Sequence, residues 1–252
     1  MEPKLLSRFI VPVLLLALSP VLAQTAKTAP YIAPRKPMED KWLAGLKETD
    51  RLVRAHQWEA AAKRGREAGE EVVDLAGTGE SPAYTLAVVA VLRAIAEAEL
   101  GHQDEAEWLW DSALNLFPDV AKTNLAPYGE KALALRQRTL RDAAEDGKRL
   151  DTSAAAAPDD GKTDPPRIVR ETRPEYPKAL RLMGVEGRII LSSIIGDDGR
   201  PRQPVILEAK GGGASMRYLA LDTVRQWRFE PAKREGKPVP VIYVLAVNFK
   251  KG

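Results

Sequence analysis

Side chains able to do catalysis or hold a metal are sparse in this chain. Its 252 residues include two histidines, His56 and His102, and no cysteine. That excludes a thiolate nucleophile, a sulfur-ligated zinc or iron–sulfur site and a disulfide framework. It also leaves too few imidazoles for a histidine-based metal cluster. Asp197-Asp198 has the form of a paired-carboxylate site, but Gly196-Asp-Asp-Gly199 lies between two strand-like runs and reads as a hairpin turn. Gly211-Gly-Gly213 lacks the Lys-Ser/Thr that completes a phosphate loop. No nucleophile–base or acid–base constellation can be assembled from these parts. The expectation is a protein that is not an enzyme and holds no metal and no cofactor.

Charge is unevenly distributed. Pro166–Gly252 carries 17 Lys+Arg against 9 Asp+Glu, whereas the preceding residues carry 21 against 26. Opposite signs suggest two units with different surroundings. The composition, 44% hydrophobic and 29% charged, is that of a globular chain.

Met1–Ala23 reads as a secretory signal peptide. Lys4 and Arg8 form its basic end, Phe9–Leu18 its apolar segment, and Val21 and Ala23 the small residues of a cleavage site. The uncharged run Phe9–Ala23 is 15 residues, short of the roughly 20 that span a bilayer. The expected location is the periplasm. The alternative is an uncleaved N-terminus that anchors the chain in the inner membrane, facing the periplasm. Nucleic acid is not an expected partner there.

The elements that must carry any binding surface follow. Ala-, Leu- and Glu-rich segments predict helices at about 39–55, 58–75, 82–100, 103–117 and 127–146, broken by Gly and Pro. Ala106, Trp110, Ala113 and Pro118 have the spacing of the second helix of a tetratricopeptide repeat, with Ala94 and Ala96 as small positions on the helix before it. Asp104 is a candidate cap for that second helix. Residues 24–146 are therefore expected to form an all-α, helical-hairpin unit resembling tetratricopeptide repeats. Residues 147–166, rich in Pro, Asp, Gly and small side chains, read as a flexible linker with few contacts between the units it joins.

Residues 167–252 change pattern. Pro174–Met183 can form a short helix, and Gly187–Ile195 and Gln203–Glu208 the arms of a hairpin. Met216, Leu219, Ala220, Thr223, Val224 and Trp227 share one helix face. Val239, Val241, Tyr243, Leu245, Val247 and Phe249 alternate along a last strand. Helix–strand–strand–helix–strand predicts a two-layer α+β domain with a three-stranded antiparallel sheet and two helices on one face. Trp227 is expected in the core, and Phe229-Glu-Pro231 is expected to end the helix pattern.

Tyr176-Pro177, Gly184-Val-Glu-Gly187, Asp198-Gly199, Trp227-Arg-Phe229-Glu-Pro231 and Gly236-Lys-Pro238-Val239 occur in order over about residues 166–250. With them this unit resembles the C-terminal domain of the TonB family of energy transducers. The resemblance makes Tyr176, Pro177, Gly187, Trp227, Phe229 and Pro231 structural. It implies binding of a protein or peptide, such as a segment of an outer-membrane receptor, which adds a strand to the sheet. The expected edge is the last strand, where Ile242, Val244, Ala246 and Asn248 face away from the helices. A full transducer also has an uncleaved membrane helix that couples to an inner-membrane proton-motive complex. Here the apolar segment is short, lacks the family's His in that helix, and ends in a cleavage-like site.

Overall fold

The computed structural model describes residues 36–76, 82–137, 163–176, 178–211 and 213–250. The predicted signal peptide, Pro177, and all but the last residues of the predicted linker lie outside the described residues. Among the described residues, no helix is long and apolar enough to cross a membrane.

Four helices come first: α1 (Lys36–Arg54), α2 (Trp58–Ala76), α3 (Ala83–Glu99) and α4 (Gln103–Leu116). Each packs on the next. α3 lies at their centre and is apolar nearly all round, with Leu86, Ala90, Ala94 and Ile95 among its fully buried residues. A helix buried on every side has that composition. Ala94, Ala96, Ala106, Trp110 and Ala113 are all fully buried, so small side chains let α3 and α4 approach around the indole. The cap differs from expectation. His102 occupies the N-cap without a side-chain hydrogen bond, and Asp104 lies inside the first turn. There its charge favours the helix through the N-terminal dipole rather than by capping. Two 3-10 turns, Pro118–Lys122 and Ala126–Tyr128, then shorten the expected last helix; α5 starts at 130 and is described to 137.

The α+β region contains β1 (Thr163–Asp164), β2 (Arg167–Arg170), α6 (Lys178–Leu182), β3 (Gly187–Ile195), β4 (Pro201–Lys210), α7 (Gly213–Arg225), β5 (Arg228–Glu230), β6 (Lys233–Arg234), β7 (Lys237–Pro238) and β8 (Val241–Phe249). The main sheet is antiparallel with order β4-β3-β8. The α+β class with a three-stranded antiparallel sheet is thus observed. Met216, Ala220 and Val224 of α7 meet Ile189, Leu191, Ile195, Leu245, Val247 and Phe249 from one sheet face. Alternation along β3 and β8 puts these odd-numbered residues on one side.

Three local features differ from the sequence expectation. The helix expected over Pro174–Met183 is confined to Lys178–Leu182; before it the chain is irregular and Tyr176 donates to the Val185 carbonyl. Phe229 does not close a helix. It lies in β5, pairs with Ile168 of β2 and is 4% exposed. The last strand starts at Val241, because the Val239 N–H is taken by the Ala232 carbonyl beside the β6–β7 pairing.

The described residues all belong to one compact unit, so the expectation of few contacts between helical and α+β regions is not met. Trp108 of α4 is 3% exposed and belongs to the core under the main sheet, where its Nε1–H donates to the Leu221 carbonyl at 3.2 Å. Beside it, Arg225 donates to Glu105 at 2.6 Å and to Asp222 at 3.0 Å. Arg93, with a side chain 1% exposed, donates to the Tyr218 hydroxyl at 3.1 Å and lies 3.9 Å from Glu105. Burial disfavours the charged form of Arg225, yet Asp222 and Glu105 outweigh it and hold its pKa above the ordinary value. Charges this buried persist only when paired. Each of these two carboxylates serves arginines from both regions.

Candidate functional site: the free edge of the sheet

The predicted binding strand, β8, pairs with β3 without interruption from Gly187↔Phe249 to Ile195↔Val241, and no strand pairs with its other side among the described residues. Which backbone groups point to that open side follows from the hairpin. The Gly196 N–H donates to the Arg200 carbonyl at 2.9 Å, so Gly196 faces β4. Main-chain direction alternates along a strand. The even residues of β3 therefore face β4, and its odd residues face β8. Because β3 pairs with β8 in odd–odd register, the odd residues of β8 bond to β3. Ile242, Val244, Ala246 and Asn248 then aim their N–H and C=O groups at the open edge.

Their side chains lie on the sheet face away from α7. Val244 and Asn248 are exposed, and Ile242 and Ala246 half-buried, whereas Leu245, Val247 and Phe249 are buried beneath. Ile190, Ser192 and Ile194 of β3 continue this half-exposed, largely apolar face opposite Ala246, Val244 and Ile242. Arg188, opposite Asn248, and Lys250 are exposed at one end of it and give that end a positive charge.

Trp227 and Phe229 belong to the core that holds Leu245, Val247 and Phe249 of this strand, and Tyr176 packs against it. Trp227 is 3% exposed and donates from Nε1 to the Thr172 carbonyl at 2.9 Å. Tyr176 stands edge-on to Phe249 at 6.2 Å, and Phe229 edge-on to Tyr243 at 6.3 Å. Burial and the Glu186 carboxylate raise the Tyr176 pKa, which keeps its hydroxyl a donor. Gly187 permits close approach, since a Cβ there would collide with the Met216 sulfur and the Lys210 carbonyl. Pro231 is half-buried just after β5.

The opposite edge, along β4, is covered at one place by α4, which the sequence did not predict. The side-chain amide of Asn115 on α4 donates to the Pro204 carbonyl at 2.6 Å and accepts from the Ile206 N–H at 2.8 Å. The other chemically capable residues are in structural roles. Asp198 accepts from the Arg200 N–H at 3.0 Å and pairs with Arg202 at 2.9 Å inside the hairpin. His102 meets Glu97 at 2.7 Å, and His56 stacks on Trp58.

In class, then, residues 163–250 are a two-layer α+β unit whose antiparallel sheet has one open edge, β8, and one edge, β4, partly covered by α4. Residues 172–250 match the family described as Gram-negative bacterial TonB protein C-terminal, so this part of the chain is similar to a TonB C-terminal domain. Among relatives, Protein TonB of Vibrio cholerae is 28% identical over 86 residues, covering 34% of this chain and 35% of that protein. Protein TonB of Escherichia coli K12 is 28% identical over 97 residues, covering 38% and 40%. The chain thus spans well under half the length of these relatives. The solution NMR structure of the Pseudomonas aeruginosa TonB C-terminal domain is 28% identical, covers 37% of this chain and 90% of that one, and gives a TM-score of 0.30.

Proposed function

We propose that this chain is a non-enzymatic, periplasmic protein-interaction module that takes an extended partner peptide as a fourth strand on β8. Ile242, Val244, Ala246 and Asn248 would form the binding edge, and segments of outer-membrane receptors are the partner class that likeness to TonB suggests. The observation that carries the reading is the open β8 edge, backed by a buried core, while the β4 edge is bonded by Asn115 between Pro204 and Ile206. Main-chain hydrogen bonds supply affinity in such pairing, and alternate side-chain positions supply selectivity. The half-exposed apolar row Ile190, Ile194, Ile242 and Val244 suits β-branched or aromatic partner residues, and the Arg188 end suits an acidic one. The helical region is read as a second surface, with a repeat-like hairpin at α3–α4.

The test is a pair of substitutions at one position. Val244→Pro removes an N–H that points to the open edge and places a ring there, while leaving the ladder to β3 intact. Val244→Thr keeps the backbone groups and the branching. A peptide selected on the wild-type chain from a random display library should bind the Pro variant at least about tenfold more weakly, on the order of one or two lost hydrogen bonds. The Thr variant should stay within about threefold. Equal binding by wild type and a Pro variant with an unchanged circular-dichroism spectrum would rule out pairing at this edge.

A further inference from the structure

We propose that α4 carries a surrogate strand: Asn115 shuts the β4 edge, leaving the sheet open to strand partners on β8 alone. In a parallel ladder, one residue of an added strand donates its N–H to the carbonyl of residue i−1 and accepts from the N–H of residue i+1 of its neighbour. Opposite Val205 those groups are the Pro204 carbonyl and the Ile206 N–H. The Asn115 amide, a donor and an acceptor on one rigid plane, meets both. Asn115 is itself anchored, since its Nδ2 also donates to the Asp111 carbonyl one turn back on α4 at 2.9 Å. α4 packs along β4 and is fixed there by Trp108 in the core.

The rest of β4 shows why an edge guard matters. Two irregularities, between Ile190 and Leu191 and between Ser192 and Ile194 of β3, leave extra residues on the β4 side. Val205 and Leu207 remain exposed there. An edge with unpaired groups and exposed apolar side chains pairs with other strands unless it is covered. Pro201 and Pro204, which lack an N–H, already reduce what the edge can offer. Asn115 takes the donor and acceptor between Pro204 and Ile206. The occupant kept out is a second copy of this chain, whose β4 carries the same exposed Val205 and Leu207.

The full chain tests this in two arms. In the first, amide exchange at Ile206 is followed by NMR in wild type, Asn115→Ala and Asn115→Asp. The Ala variant should exchange at least about tenfold faster at Ile206, because the N–H loses its acceptor without global unfolding. The Asp variant retains an acceptor and should stay near wild type at Ile206, while the Pro204 carbonyl shift moves. Unchanged Ile206 exchange in the Ala variant overturns the assignment. If the Ala variant fails to fold, Asn115→Ser, whose hydroxyl is too short to reach Ile206, replaces it in both arms, and unchanged Ile206 exchange in it overturns the assignment. In the second arm, Leu207→Cys is placed in the wild-type and in the Asn115→Ala background, and dimer formation under mild oxidation is read on a non-reducing gel. The chain has no cysteine of its own, so the new thiol is unique. Freeing both the Pro204 carbonyl and the Ile206 N–H should raise disulfide-linked dimer severalfold. Equal dimer in both backgrounds would show that Asn115 makes a local bond and does not guard the edge.

Discussion

Trp108→Ala should lower folding stability by about 3–5 kcal/mol, the cost of deleting a buried aromatic side chain from a core. The indole lies between two regions that the sequence reads as separate. It is 3% exposed among Leu180, Leu191, Val224 and Phe249, and its removal also leaves the Leu221 carbonyl without that donor. Trp108→Phe should cost less, because the ring still fills most of the space and only the N–H donor is lost. Urea unfolding followed by circular dichroism measures both. The Ala variant should also unfold with separate transitions for helical and α+β regions, since Trp108 is a main packing link between them. A loss below about 1 kcal/mol, with one unchanged transition, would mean that the helical region contributes nothing to the sheet's core.

The second large effect is expected at Gly199→Ala. Gly199 has φ +74°, a conformation that costs an L-residue about 1–2 kcal/mol. A Cβ there would also overlap the Phe229 carbonyl oxygen. That oxygen is backbone, and it is held close because the Phe229 N–H donates to the Gly199 carbonyl at 2.9 Å. Relief requires the hairpin to separate from β5, so the total should reach about 2–4 kcal/mol once overpacking is added. Gly184→Ala is the control. Its φ is +66°, but an added Cβ meets nothing within 4 Å, so only the backbone cost of about 1 kcal/mol applies. Equal losses at the two positions, read from unfolding midpoints, would show that the contact with Phe229 yields freely.

Much of the α+β region was legible because its periods are undiluted. β3 runs over the residues the sequence marked, Gly187–Ile195, and β8 buries Leu245, Val247 and Phe249 in strict alternation. The α7 face from Met216 to Val224 is equally regular, and the order of hairpin, helix and strand followed from it. What the sequence hid depends on partners distant along the chain. β2 is four exposed residues with no alternation, and it is a strand because β5 lies beside it. Asn115 resembles any polar residue on a helix, and its role depends on a strand 89 residues away. Trp108 left a faint signal. Trp108-Leu109-Trp110 places large apolar groups on nearly opposite sides of one helix, so one face serves α3 and another must be covered by something else. The Asp197-Asp198 turn took the structural place its local sequence suggested.

Strand addition needs the open side of β8, and amide exchange with and without a bound peptide tests it most directly. In the free chain, the Tyr243, Leu245 and Val247 amides should exchange slowly, because they bond to β3, whereas those of Ile242, Val244, Ala246 and Asn248 should exchange fast. With the library-selected peptide bound, the even-numbered amides facing the added strand should slow by at least about tenfold and the odd-numbered ones should change little. Binding that leaves Val244 and Ala246 exchanging at their free rates would contradict strand addition on β8.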